Sequence, residues 1–182
     1  MPTDVADGRS LERSPASATS VPTRPADPRL GSWRAFLHAH ARLTRRLDDE
    51  LRASHNLSLA EYDALLQLAQ APGRRLRMSV LADRVLLSRS GITRLVDRLV
   101  ADGMVERSTC TTDARGAEAA LTRTGLDRLR AASATHLDGV RRYFLDVIAA
   151  DDRQAMERGL CHVMDGLDDA GTAASSQDRA DA

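Results

Sequence analysis

The run Ser88–Leu99 places residues that can do chemistry at a telling spacing. Ile92, Leu95, Val96 and Leu99 recur at i, i+3, i+4 and i+7, so a helix here turns all four inward and leaves Arg89, Ser90, Thr93, Arg94 and Arg98 facing out. Guanidinium forks grip phosphate or take both major-groove acceptors of a guanine, and short hydroxyl side chains let a helix approach closely. A face of this kind suits the major groove of double-stranded DNA.

The neighbouring sequence supplies the elements that would hold that face. Ser88 is placed to cap the helix, and Leu87 just before it to staple onto Ile92. Ser79–Leu86 predicts a preceding helix of two to three turns with Leu81 and Val85 inward, and two helices joined by so short a turn read as helix-turn-helix. Past Gly103, a C′ candidate, the pattern becomes extended over 104–108 and again over 117–121. Helix-turn-helix followed by a hairpin is a winged helix, and Leu76 with Met78 predicts a short third strand. At the hairpin tip Gly116 offers a tight turn, and Asp113 is positioned to hold Arg115, a guanidinium suited to the negative potential of a minor groove. An ordinary solvated hairpin with a surface ion pair is the other reading of that tip.

Composition sets bounds. The chain has 182 residues and formal net charge zero, with two each of Phe and Tyr and one Trp among many Leu, Ala and Val, which favours a mainly α protein. Every basic residue is arginine. Charge is uneven: between Arg74 and Arg123 ten arginines face six acids, a local net of +4. The two cysteines lack metal or disulfide spacing, no apolar run is long enough for a membrane span, and no signal-peptide core is present, so a cytoplasmic location without a membrane partner is expected.

Along the chain, residues 1–28 hold five of the six prolines and predict a disordered extension. Residues 29–56 predict a helix with Leu30, Trp33, Leu37, His40, Leu47 and Leu51 near one seam. Ser58 and Glu61 make a capping box for the next helix, inside a winged-helix domain at 57–121. From Thr122 a helix is expected to about Ile148, then a last helix from about Ala149–Asp151 with Leu160, Val163, Met164 and Leu167 on one stripe, ending near Asp168 before a flexible tail at 169–182. The first and last helices carry apolar stripes that one small domain cannot cover, so 29–56 and 122–168 are expected to build a symmetric dimer.

The order and spacing of Ser88–Leu99, Asp102-Gly103-Met104-Val105-Glu106-Arg107, Asp113-Ala114-Arg115-Gly116 and Leu121-Thr122 resemble the MarR family of transcriptional regulators over about residues 30–168. The resemblance implies a homodimer on a near-palindromic operator, with the helix from Ser88 in the major groove and Arg115 in the minor groove. It further implies a regulator, most often a repressor relieved by a small molecule or other signal. One departure is Ala149, where the family often has a capping serine.

A small-molecule effector would, by that resemblance, bind where the dimer helices meet the winged helix, near Trp33, Phe36, His40, Tyr62 and His136; filling the core is the competing role for these rings. His40 is expected to be partly buried. Cys110, in a wing strand three residues from Arg107, is a redox candidate, and Cys161 an interface residue. The five histidines are scattered, so no metal site, cofactor or catalytic constellation is expected and the chain does not read as an enzyme. Two alternatives stay open: a winged-helix dimerisation scaffold that binds no DNA, and a zinc- or thiol-operated sensor-regulator.

Overall fold

The computed structural model describes residues 27, 28, 30–109 and 117–180, with side chains to residue 169 except at 109. The expectations for the 1–26 extension and for Cys110, Asp113 and Arg115 lie outside the described residues. Elements follow in the order α1 (Leu30–His55), α2 (Leu59–Gln70), β1 (Arg75–Arg77), α3 (Met78–Arg84), α4 (Arg89–Ala101), β2 (Val105–Thr109), β3 (Ala117–Leu121), α5 (Arg123–Val140) and α6 (Ala150–Ala180). The protein is mainly helical with one three-stranded antiparallel sheet of order β1-β3-β2, a winged helix-turn-helix flanked by long helices.

The core belongs to the winged helix. Leu65 and Leu68 of α2, Leu81 of α3, Ile92, Val96 and Leu99 of α4, and Val105 and Ala119 of the hairpin are fully buried together, joined by Leu51 of α1 and Ala132 of α5. The capping box forms as the sequence predicts. The Ser58 hydroxyl accepts the Glu61 N–H, and the Glu61 carboxylate accepts the Ser58 N–H at 2.9 Å.

The hairpin register sets Arg107 opposite Ala119 and Val105 opposite Leu121, while β1 lies along the other side of β3 with Leu76 opposite Ala119. Met78 departs from the expected strand and opens α3 instead. Gly103 ends α4 with φ +69°, the left-handed C′ position expected of it. Its neighbours anchor α5: the Thr122 hydroxyl donates toward the Gly103 and Met104 carbonyls, and the Met104 carbonyl also accepts the Thr122 N–H. Gly125 completes the joint, because a Cβ there would stand 2.1 Å from the Met104 carbonyl oxygen.

The long helices differ from expectation in three ways. α5 does not run as α-helix to Ile148; it passes at Arg141–Leu145 into a π-helical turn, where Arg142 and Arg46 flank the Tyr143 ring and the Tyr143 hydroxyl donates to Glu50 of α1 at 2.5 Å. α6 continues past Asp168 to Ala180. The apolar stripe of α1 divides: Leu47 and Leu51 are buried, contrary to a stripe left wholly uncovered, whereas Leu30, Trp33, Phe36 and Leu37 are exposed as expected, as are Leu160, Val163, Met164 and Leu167 of α6.

Candidate nucleic-acid interface

Helix α4 displays the predicted face. Ile92, Leu95, Val96 and Leu99 are buried, and Arg89, Ser90, Thr93, Arg94 and Arg98 are exposed. Ser88 caps the helix by accepting the Gly91 N–H at 3.1 Å, and its oxygen lies 3.2 Å from that of Ser90. The Thr93 hydroxyl donates to the Arg89 carbonyl at 2.8 Å, so toward solvent it offers oxygen lone pairs and a methyl group.

The arginines divide into two kinds. Among the described residues the Arg89 and Arg94 side chains have neither an ion-pair nor a hydrogen-bond partner, so both guanidiniums are free for an outside ligand. Arg98 is tied down: its Nε donates to Glu61 Oε1 at 2.9 Å and its Nη1 to the Arg94 carbonyl at 3.4 Å. The Glu61 side chain is only 14% exposed. Burial works to raise its carboxyl, but the Ser58 N–H, the Arg98 guanidinium and the Ser58 hydroxyl outweigh burial and hold it below the ordinary value. One carboxylate thus starts α2 and fixes a residue of α4.

A second tie joins α4 to the wing. Arg107 of β2 reaches Asp97 Oδ1 at 2.9 Å with Nη1 and donates to the Thr93 carbonyl at 3.2 Å with Nη2. Sequence reasoning gave Asp97 and Arg107 no part in the site and read Glu61 only as a cap. Their partners lie on other elements, so no local pattern announces the pairs.

The five effector-pocket candidates do not converge. Trp33, Phe36 and His40 form a ladder along α1 with ring centroids 6.1 Å apart at each step. His40 is exposed rather than partly buried, because the core reaches α1 only from Leu47 onward. It lines an open groove of about 500 Å³ with Thr44, Arg45, Asp48, Ala60 and Asp63, whereas none of the other four candidates does. Tyr62 and His136 meet elsewhere, between α2 and α5, with centroids 4.4 Å apart. His136 Nδ1 is buried without a hydrogen-bond partner, and burial pushes the imidazole below its ordinary pKa against the opposing pull of Asp63. Cys161 is a free, exposed thiol on α6. Among the described residues no group of His, Cys, Asp and Glu has the arrangement of a metal site, and no helix is long and apolar enough to cross a membrane.

Comparison with known proteins gives this geometry a context. The model of the MarR family matches residues 55–116, from the end of α1 to the residue before β3. AbsC, a MarR family transcriptional regulator from Streptomyces coelicolor, is 31% identical with a TM-score of 0.74, covering 80% of this chain and 98% of its own. Sco3205, a MarR family regulator from the same organism solved in complex with DNA, is 32% identical with a TM-score of 0.74, covering 79% of this chain and 91% of its own. A MarR mutant from E. coli complexed with operator DNA shares the fold at 23% identity and a TM-score of 0.65, covering 75% of this chain and 94% of its own. No curated protein matches the chain.

Proposed function

This chain belongs to the MarR family of transcriptional regulators and is a DNA-binding regulator, and from that premise we propose that it is a homodimeric repressor of a near-palindromic operator, relieved by a small molecule or another signal. The observation that carries the reading is the pair of unpartnered guanidiniums, Arg89 and Arg94, on the exposed face of a helix whose other face is locked into the core. In the complex α4 lies in the major groove. Arg89 and Arg94 reach bases or phosphates, Ser90 and Thr93 sit close to base edges, and Ser88 meets a phosphate from the helix N-terminus. Arg98, still 58% exposed in its side chain, approaches phosphate while held by Glu61. Arg115, steadied by Asp113, enters the minor groove.

The uncovered residues of α1 and α6 support the dimer, since burial of apolar surface contributes about 25 cal/mol per Å². A symmetric pair presents two copies of α4 to successive turns of the duplex, the arrangement a near-palindrome requires. A retardation assay on DNA upstream of the chain's own gene, repeated over a range of salt, tests the reading. Salt-dependent retention by a dimer is expected. A chain that retains no duplex at low salt is instead the dimerisation scaffold, and zinc or an oxidised thiol in the mass of the native protein would mark a metal- or thiol-operated sensor.

A further inference from the structure

We propose that Asp97 and Arg107 are positioning residues for sequence discrimination: their ion pair braces the wing against α4, so that wing and helix meet the duplex as one rigid reader. The inference rests on the DNA-binding role assigned to α4 and the wing, and concerns residues that role leaves unexplained. Asp97 is the anomaly. It is exposed on the helix that carries Arg89, Thr93 and Arg94, where a carboxylate repels the phosphates the arginines attract.

The structure gives that carboxylate a purpose. Arg107 stands two residues after the buried Val105 on β2, on the sheet face that packs toward α4, and directly opposite the buried Ala119. An apolar side chain would be the ordinary occupant of that position. Arginine there spans the gap to α4 and binds it twice, at Asp97 Oδ1 (2.9 Å) and at the Thr93 carbonyl (3.2 Å). The Thr93 carbonyl points along the helix toward Asp97, so the two nitrogens of one guanidinium grip neighbouring acceptors at one point of α4, and the pair of bonds fixes the distance of β2 from the helix and the direction of approach. A single exposed ion pair does little. A guanidinium held by a carboxylate and a backbone carbonyl together is geometrically specified.

Just beyond Arg107 the chain leaves β2 for residues 110–116, which include Asp113 and Arg115. The brace is therefore the last tie to α4 that the structure describes before the wing tip. If it sets the wing's angle, it sets which base step the tip meets while α4 reads its own bases in the major groove. Arg107 then contributes through geometry and not through counterion release.

The test uses the full chain and two probes: the upstream fragment retained in the assay above, and a random duplex of equal length, both titrated across salt. Asp97→Asn keeps the shape and removes a negative charge. Simple electrostatics predicts tighter binding to both probes, whereas the brace predicts about tenfold weaker binding to the fragment with unchanged or tighter binding to random DNA. Arg107→Gln should reproduce the loss of discrimination and leave the salt slope unchanged, while removing an arginine that neutralised a phosphate would lower that slope by about 0.9. The double variant should lose no more than the worse single one, because both remove the same tie. Thermal unfolding of each variant separates a folding defect from a reading defect, and Arg107→Lys, which keeps the charge and one of the two bonds, should recover part of the discrimination. Asp97→Asn binding the fragment more tightly, or Arg107→Gln lowering the salt slope, would overturn the brace and leave the DNA-binding reading standing. A wild-type chain that binds neither probe would overturn both.

Discussion

Replacing Leu86 with glycine should stabilise the protein. Leu86 lies between α3 and α4 with φ +56°, in the left-handed region, and its side chain is 90% exposed. The turn is held by backbone bonds: the Leu86 N–H to the Asp83 carbonyl at 3.3 Å and the Leu87 N–H to the Ala82 carbonyl at 2.9 Å. An L-residue in this conformation costs about 1–2 kcal/mol, and a side chain so exposed returns almost no burial. Glycine removes the strain but gives the unfolded chain extra freedom worth about 0.4–1 kcal/mol. The balance is a gain of about 0.5–1 kcal/mol, and at about 2–4 °C per kcal/mol for a chain of this size the Tm should rise by roughly 1–4 °C. Leu86→Ala is the control. It removes the same apolar surface but keeps the Cβ that causes the strain, so its Tm should stay within about 1 °C of wild type. Urea and thermal unfolding followed by circular dichroism, at one fixed protein concentration because association shifts apparent stability, measure both. A glycine variant less stable than wild type by more than about 0.5 kcal/mol would refute the reasoning, since the Leu86 side chain would then be held by contacts absent from the single chain.

Three further outcomes follow from the site and its supports. Arg94→Ala should cost about 1–3 kcal/mol on the retained fragment if Arg94 reads a base, and equal loss on random duplex, measured by anisotropy, would make it a phosphate contact. Gly125→Ala should lower stability by about 1–3 kcal/mol or more, because its Cβ would stand 2.1 Å from the Met104 carbonyl and the start of α5 must shift to admit it; an unchanged urea midpoint would count against that close approach. His136 is held neutral by burial, so below its unfolded pKa of about 6.5 the unfolded chain takes up the proton first. Stability should therefore fall as pH drops from about 6.5 toward the lower folded value, and His136→Phe, which keeps a ring beside Tyr62, should flatten that part of the pH profile.

Signals confined to a few residues of sequence were legible. Ser88 as cap, the Ser58/Glu61 capping box, the inward quartet of α4 and the left-handed Gly103 all depend on spacings within one or two helical turns, which the chain displays directly. Contacts between distant segments were not. Glu61 and Arg98 stand 37 positions apart, and nothing in the local pattern distinguishes Arg98 from the free Arg94 four residues before it. Gly125 reads as one glycine in a helix until the Met104 carbonyl is seen against it. That Tyr62 meets His136 while the rings of α1 meet one another was not legible either, because helical periodicity reports which face a residue occupies and not which neighbour that face meets. The π-helical turn, too, carries a contact no local pattern announces, the Tyr143 hydroxyl reaching Glu50 on α1, 93 positions away.

The joint at Met104 has a mechanical meaning. Its carbonyl takes both the backbone and the hydroxyl of Thr122, and Gly125 lets the first turn of α5 press against it without an intervening side chain. Such a hinge has no slack. The first turn of α5 and the root of β2 thus share one backbone joint, and neither could shift at that joint without displacing the other.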